Sequence, residues 1–180
     1  MNSNNLGYKI NMKSSVLFTL AAMFFIWFPC GAQDAGTVSF QLPVVALKTL
    51  EGKNVLSSEI ANSGKPIVLI FWKSCCPPNV KMLDEINEVY PDWKKETGVA
   101  LITVSIDDSR SSAKIAPLIN GKGWEFTVYL DPNSDFKRAM NVIATPHVFI
   151  INGHNDVIWQ KTTYNPGDAD EIYKILSAVK

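Results

Sequence analysis

Two adjacent cysteines, Cys75 and Cys76, stand directly before a proline pair, Pro77-Pro78, and Asn79. The cluster follows a continuous apolar run, Ile67 to Trp72, and opens a segment with helical spacing of its apolar residues. A cysteine at such a junction can do chemistry. The first amides of a helix lack partners within the helix and carry partial positive charge. A thiolate set against them is stabilised and becomes a more abundant nucleophile. Pro77 and Pro78 suit a helix start, where amide hydrogens are not needed for the helix ladder. The chemistry implied is that of a reactive thiol.

Cys76 is the candidate nucleophile because it abuts the helix start. Cys75 is a candidate secondary thiol, although closing a ring between neighbouring cysteines strains the backbone. A cysteine in its position is more often a small packing residue than a nucleophile. Lys73 can favour the thiolate or point into solvent. Cys75, Cys76 and His147 contain soft-metal donors, but adjacent ligands are awkward, so neither a metal nor an organic cofactor is expected. His147 and His154 otherwise read as ordinary strand and turn histidines, and Asp107-Asp108 as a polar loop. Glu85, Glu88, Lys94, Lys95 and Glu96 read as the solvated side of a helix.

The elements that must position Cys76 follow from hydrophobic period. Phe40 to Leu47 and Asn54 to Leu56 are expected as strands joined by a turn at Glu51-Gly52-Lys53, with one helical turn at Ser57 to Ala61. Ile67 to Trp72 and Val99 to Ile106 are expected as strands buried on both faces. Between them Val80, Leu83, Ile86, Tyr90 and Trp93 form the apolar stripe of a helix that Pro91 kinks or ends. A helix over Ser111 to Asn120, a strand over Phe126 to Leu130 and a short helix over Asn133 to Met140 follow. Strands at His147 to Ile151 and Val157 to Gln160 join through Asn152-Gly153. A last helix, Asp168 to Val179, is expected to be capped by Asp168 or Asp170. Alternating strands and helices argue a mainly parallel sheet covered on both faces, with a final antiparallel hairpin.

The run Phe71-Trp72-Lys73-Ser74-Cys75-Cys76-Pro77-Pro78-Asn79 resembles the active site of TlpA-type thioredoxin-fold disulfide reductases, usually Phe-Trp-Ala-x-Trp-Cys-x-Pro-Cys. In that register Cys76 takes the nucleophile's place, Cys75 the tryptophan's and Asn79 the resolving cysteine's. Met82 stands where the family often has a glutamate. Ala144-Thr145-Pro146, before the His147 strand, resembles the loop whose proline is cis in the family and faces the active cysteine. The resemblance covers Phe40 to Lys180. It implies an α/β, thioredoxin-like three-layer sandwich with a central mixed sheet and an N-terminal β-hairpin. It also implies a substrate groove at Thr145 and Pro146, with the active site shaped by Trp72, Pro77, Pro78 and Asn79.

The departures bear on the chemistry. Asn79 has no sulfur and cannot resolve a mixed disulfide, and Met82 cannot shuttle a proton. Three readings stay open. Cys76 works alone, with an external thiol resolving its mixed disulfide in isomerase-like or monothiol chemistry. Cys75 resolves instead. Or the domain has lost catalysis and binds extended peptides or partner proteins in the groove. A peroxidase of related fold needs a threonine or serine three residues before its cysteine, where Lys73 precedes Cys76.

Composition fits a single globular domain: among 180 residues, 47% are hydrophobic and 19% charged, with zero formal net charge. That balance suggests neither a nucleic-acid partner nor an anionic membrane surface. Residues 1–32 are expected to be a secretory signal. Lys13 supplies the positive region, Val16 to Phe28 the apolar run, and Cys30-Gly31-Ala32 the small residues before cleavage. Removing them takes Lys9 and Lys13 and no acid, leaving a net charge of about −2 on residues 33–180. A membrane-anchored form or a lipoprotein at Cys30 ranks second. The Val16–Phe28 run is short for a span, and Phe28-Pro29 matches a lipoprotein signal poorly. Export implies a periplasmic or other oxidising space. The expected partners are protein or small-molecule thiols and disulfides and a membrane-bound redox donor, acting on a monomer.

Overall fold

The structure is a computed structural model that describes residues 40–179. The expected signal segment, Cys30 and the lead-in through Ser39 lie outside the described residues. Two short strands, β1 (Ala46–Lys48) and β2 (Asn54–Leu56), form a hairpin. Then come β3 (Ile67–Trp72), α1 (Pro77–Thr97), β4 (Ala100–Ser105), α2 (Ile115–Lys122), β5 (Thr127–Leu130) and α3 (Asp135–Ala139). The chain closes with β6 (His147–Ile151), β7 (Val157–Thr162) and α4 (Asp168–Ala178). One seven-stranded sheet runs β2-β1-β5-β4-β3-β6-β7. Its centre, β5-β4-β3, is parallel, and the remaining neighbours are antiparallel.

β3 is the axis. All six residues are buried, because alternate side chains serve two cores. Val68, Ile70 and Trp72 pack with Leu83 and Ile86 of α1 and Ile172 and Leu176 of α4. Ile67, Leu69 and Phe71 face Phe136 of α3 and Phe149 of β6 on the other side. Phe71 lies 5.2 Å from Phe136 and 5.9 Å from Phe149, ring centre to ring centre. A one-residue slip of β3 would exchange its two faces, so packing fixes its register.

Several elements differ from their expected form, each for a physical reason. The strand expected over Phe40 to Leu47 shrinks to β1 plus one bridge, Gln41 to Asp156. Pro43 lies in the gap, and buried Ser57 meets the backbone there instead. Its Oγ donates to the Pro43 carbonyl at 2.6 Å and accepts the Val45 N–H at 2.8 Å. α1 runs past Pro91, which lies on its exposed side. The stripe of α1 is turned so that Asn79 and Met82 are buried with Leu83, Ile86 and Trp93, whereas Val80 and Tyr90 are half-buried. The segment from Ser111 opens with one 3-10 turn, Ser112–Lys114, before α2. Pro117 then falls in the first turn of α2, where an amide is not needed. α4 is capped by Gly167 at φ 93°, not by an aspartate. The Asp168 carboxylate instead accepts the Asn165 N–H at 2.7 Å and pairs with Lys161 at 2.8 Å.

The Asn152-Gly153 turn presses on the loop before β3. A Cβ on Gly153 would lie 2.0 Å from the Gly64 carbonyl oxygen. Gly121, inside α2, has nothing within 4 Å of an added Cβ. Gly153→Ala is therefore expected to destabilise the protein by about 1–3 kcal/mol, through backbone displacement. Gly121→Ala should stabilise it by about 0.5–1 kcal/mol. Urea unfolding curves of the two variants check both signs.

Candidate active site

β3 ends at Trp72, three residues connect it to Cys76, and α1 begins at Pro77. Cys76 is the N-cap of α1, with extended backbone (φ −107°, ψ 104°). Its carbonyl accepts the N–H of Asn79 at 2.9 Å and of Val80 at 3.3 Å. Pro77 and Pro78 occupy the first two helical positions and have no N–H to offer. The free amides expected beneath the thiol are thus missing or spent. Cys76 makes no side-chain capping bond. What α1 supplies to this sulfur is the field of its aligned peptide dipoles. Both cysteines are free thiols, Cys76 half-buried and Cys75 exposed.

Asn79 lies one turn into α1 and is 0% exposed. Its Oδ1 accepts the Lys73 N–H at 3.1 Å, tying the helix to the start of the loop. Among the described residues its Nδ2 has no hydrogen-bond partner. Asn79 is a buried loop tie and not a solvent-facing side chain. Trp72 is fully buried and meets Trp124 edge to face at 5.7 Å. Pro77 and Pro78 are exposed. They line a cleft of about 410 Å³ with Met82, Glu85, Tyr164 and Pro166. Burial, together with the charges of Glu85 and Asp168, pushes the Tyr164 hydroxyl up to about 12.

The Thr145–Pro146 peptide is cis, with Thr145 half-buried and Pro146 buried. β3 pairs antiparallel with β6, Phe71 opposite His147. The register brings Pro146 to the sheet end where Trp72 leaves β3, so the proline loop and the cysteine loop share one end of adjacent strands. The Thr163 N–H donates to the Pro146 carbonyl at 2.9 Å, joining the β7–α4 connection to that loop.

His147 is a satisfied strand residue. It is 6% exposed and stacks on Phe149 at 4.4 Å. Its Nε2 meets Gln160 Oε1 and its Nδ1 meets Thr162 Oγ, each at 3.1 Å. A neutral ring satisfies both contacts. Among the described residues, no group of three histidine, cysteine or acidic side chains is arranged to hold a metal ion.

The residue that sequence reasoning passed over is Asp107. Read as part of a polar loop, it is 1% exposed at the end of β4. Its carboxylate accepts the Ser74 N–H at 2.9 Å, the Ser74 hydroxyl at 2.7 Å and the Ser105 hydroxyl at 2.8 Å. The available signal was a serine, Ser105, at the end of a mostly apolar run, two residues before an acid.

Together these features define a thioredoxin-fold protein of the TlpA type. Residues 38–160 match the AhpC/TSA family, and the chain belongs to that family. It is 30% identical to sporulation thiol-disulfide oxidoreductase A of Bacillus subtilis, over 81% of this chain and 86% of that protein. It is 28% identical to thiol-disulfide oxidoreductase ResA of Bacillus thuringiensis, over 83% and 80% of the two chains. The solution structure of a thioredoxin-like protein from Porphyromonas gingivalis superposes with a TM-score of 0.69 at 45% identity, covering 77% of this chain and 90% of that one.

Burial holds the His147 imidazole below its ordinary value, the Gln160 bond offsetting part of the shift. The unfolded chain then takes up this proton at higher pH than the folded one, so folding stability falls as pH drops through the ordinary histidine value of about 6.5. Denaturant unfolding at pH 7.5 and 5.5 should show the loss, and His147→Phe should reduce it.

Proposed function

We propose that the protein is an exported thiol–disulfide exchange protein that works through one nucleophile, Cys76. The observation that carries this reading is a free cysteine at the N-cap of α1, with a buried carboxamide, Asn79, in the resolving position. The Cys76 thiolate attacks one sulfur of a substrate disulfide. The other sulfur leaves as a thiolate and takes up a proton. The mixed disulfide on Cys76 then waits for an external thiol, whose attack frees Cys76 and leaves the disulfide between that thiol and the substrate. Net reduction needs a further thiol, and net isomerisation needs only a second cysteine in the same substrate.

Trp72, Pro77, Pro78 and Asn79 shape the site in this reading. The cis Thr145–Pro146 peptide bounds the groove in which an extended substrate lies. Cys75 is exposed and does not serve as the resolving thiol, because the adjacent ring is strained. Substrates are thiols and disulfides of proteins or small molecules, the electron donor is a membrane-bound redox protein, and the chain acts as a monomer. Residues 1–32 direct it to the periplasm or an equivalent extracytoplasmic space.

A second reading, a binding module without catalysis, has its own support in the proline pair. Pro77 and Pro78 take away two amide donors from beneath the sulfur. A peroxidase has less support, because Lys73 stands three residues before Cys76 and its N–H goes to Asn79.

Asn79→Cys supplies the missing sulfur and should raise dithiothreitol-driven insulin reduction about tenfold or more, whereas Cys76→Ser should abolish any basal rate. An Asn79→Cys protein that folds but stays inactive, with Cys76 inert toward disulfides, favours the binding module.

A further inference from the structure

We infer that Asp107 is the positioning residue for Cys76: its buried carboxylate holds the loop that carries the nucleophile. The inference rests on the exchange reading above, and it adds a residue from a different strand to that site.

The loop from Lys73 to Cys76 connects a strand that cannot slide to a helix start, and three of its amides are bonded. The Lys73 N–H goes to Asn79 Oδ1, the Ser74 N–H to Asp107 Oδ2, and the Cys76 N–H back to the Lys73 carbonyl at 3.2 Å. Two of these three acceptors are buried side chains from outside the loop. Ser74 is held twice, because its hydroxyl also reaches Asp107 Oδ1. Ser105 completes the arrangement from β4. Its hydroxyl donates to Asp107 Oδ2, and its oxygen accepts the Asp107 N–H at 3.2 Å. The Ile106 N–H donates to the Trp72 carbonyl at 3.0 Å, extending the β3–β4 contact up to the loop.

A buried carboxylate is costly unless paired or well hydrogen-bonded. Among the described residues Asp107 has no ion-pair partner. Three donors compensate it, and two of them belong to Ser74, two residues before Cys76. Removing the carboxylate alone would leave the Ser74 N–H and the Ser74 and Ser105 hydroxyls without their acceptor. A carboxylate accepts several hydrogen bonds at once, and hydrogen bonds to a charged acceptor are the strong, directional kind. Exchange requires the attacking sulfur to lie in line with the disulfide it breaks, and small misplacements of a reacting group are expensive in rate.

The test compares the unaltered protein with Asp107→Ala, Asp107→Asn and Ser74→Ala. Ser74→Ala removes one bond and keeps the folded chain if Asp107→Ala does not fold. Three rates are read: hydrogen exchange at the Ser74 amide by NMR, alkylation of Cys76 by iodoacetamide located by mass spectrometry, and reaction of Cys76 with a model peptide disulfide. With Asp107→Ala, Ser74 exchange should rise about tenfold or more while β3 and β4 amides keep their protection. Reaction with the peptide disulfide should fall about tenfold, and alkylation, which demands little orientation, should change less than about threefold. Asp107→Asn and Ser74→Ala should fall between.

Unchanged protection of Ser74 overturns the inference. So does exchange rising equally across the sheet, or equal loss of both Cys76 rates, since either marks a residue that only stabilises the fold. A protein whose Cys76 never reacts with disulfides refutes the exchange reading, and the Ser74 amide then decides by itself whether Asp107 holds the loop.

Discussion

The Cys76 carbonyl accepts the Asn79 and Val80 amides, and that pair of bonds decides where α1 begins. Everything about the candidate site depends on that starting point. β3 is buried on both faces and cannot shift, so a helix that starts at Pro77, after the four-residue link Lys73 to Cys76, has a fixed place over the sheet. The β3–β6 register carries the constraint across to the proline loop. The position of one sulfur is therefore set by core packing at Val68 to Trp72, well away from the sulfur itself.

The same starting point shows what the site lacks. A helix N-terminus normally offers amide donors to a thiolate, but here two prolines and the Cys76 carbonyl leave none free in the first turn. The sulfur keeps the helix field and loses the discrete hydrogen bonds. Asn79 compounds the change. Its Oδ1 holds the loop through the Lys73 N–H, and the residue carries no sulfur. In the proposed reading, Asn79 leaves a mixed disulfide on Cys76 without a resolving sulfur.

Much of this was legible in the sequence, for identifiable reasons. β3, β6 and the start of α1 fall at the expected residues, because two apolar runs bounded by turn residues and a proline pair each have one dominant structural meaning. The weaker readings failed where tertiary contacts outweigh local pattern. Pro43 and the buried Ser57 shorten the first strand, and Gly167 takes the cap expected of an aspartate. At the site, the cysteines, the prolines and the Thr145-Pro146 loop were visible as motif, and the cis state of that peptide came from the structure. Asp107 was not, because its role comes from β4 lying beside β3, and a polar pair after a strand reads as a loop until the sheet order is known. The burial of Asn79 was hidden similarly, since the apolar stripe of α1 pointed to Val80.

The central claim is a lone sulfur that forms a mixed disulfide and cannot discharge it unaided. It is tested most directly by mixing the reduced protein with glutathione disulfide, removing the excess, and following the adduct by intact-protein mass spectrometry with and without added thiol. The account predicts one glutathione on Cys76 that persists alone and disappears when a thiol is supplied. No adduct on Cys76, or an adduct that leaves by itself to give a Cys75–Cys76 disulfide, would contradict it.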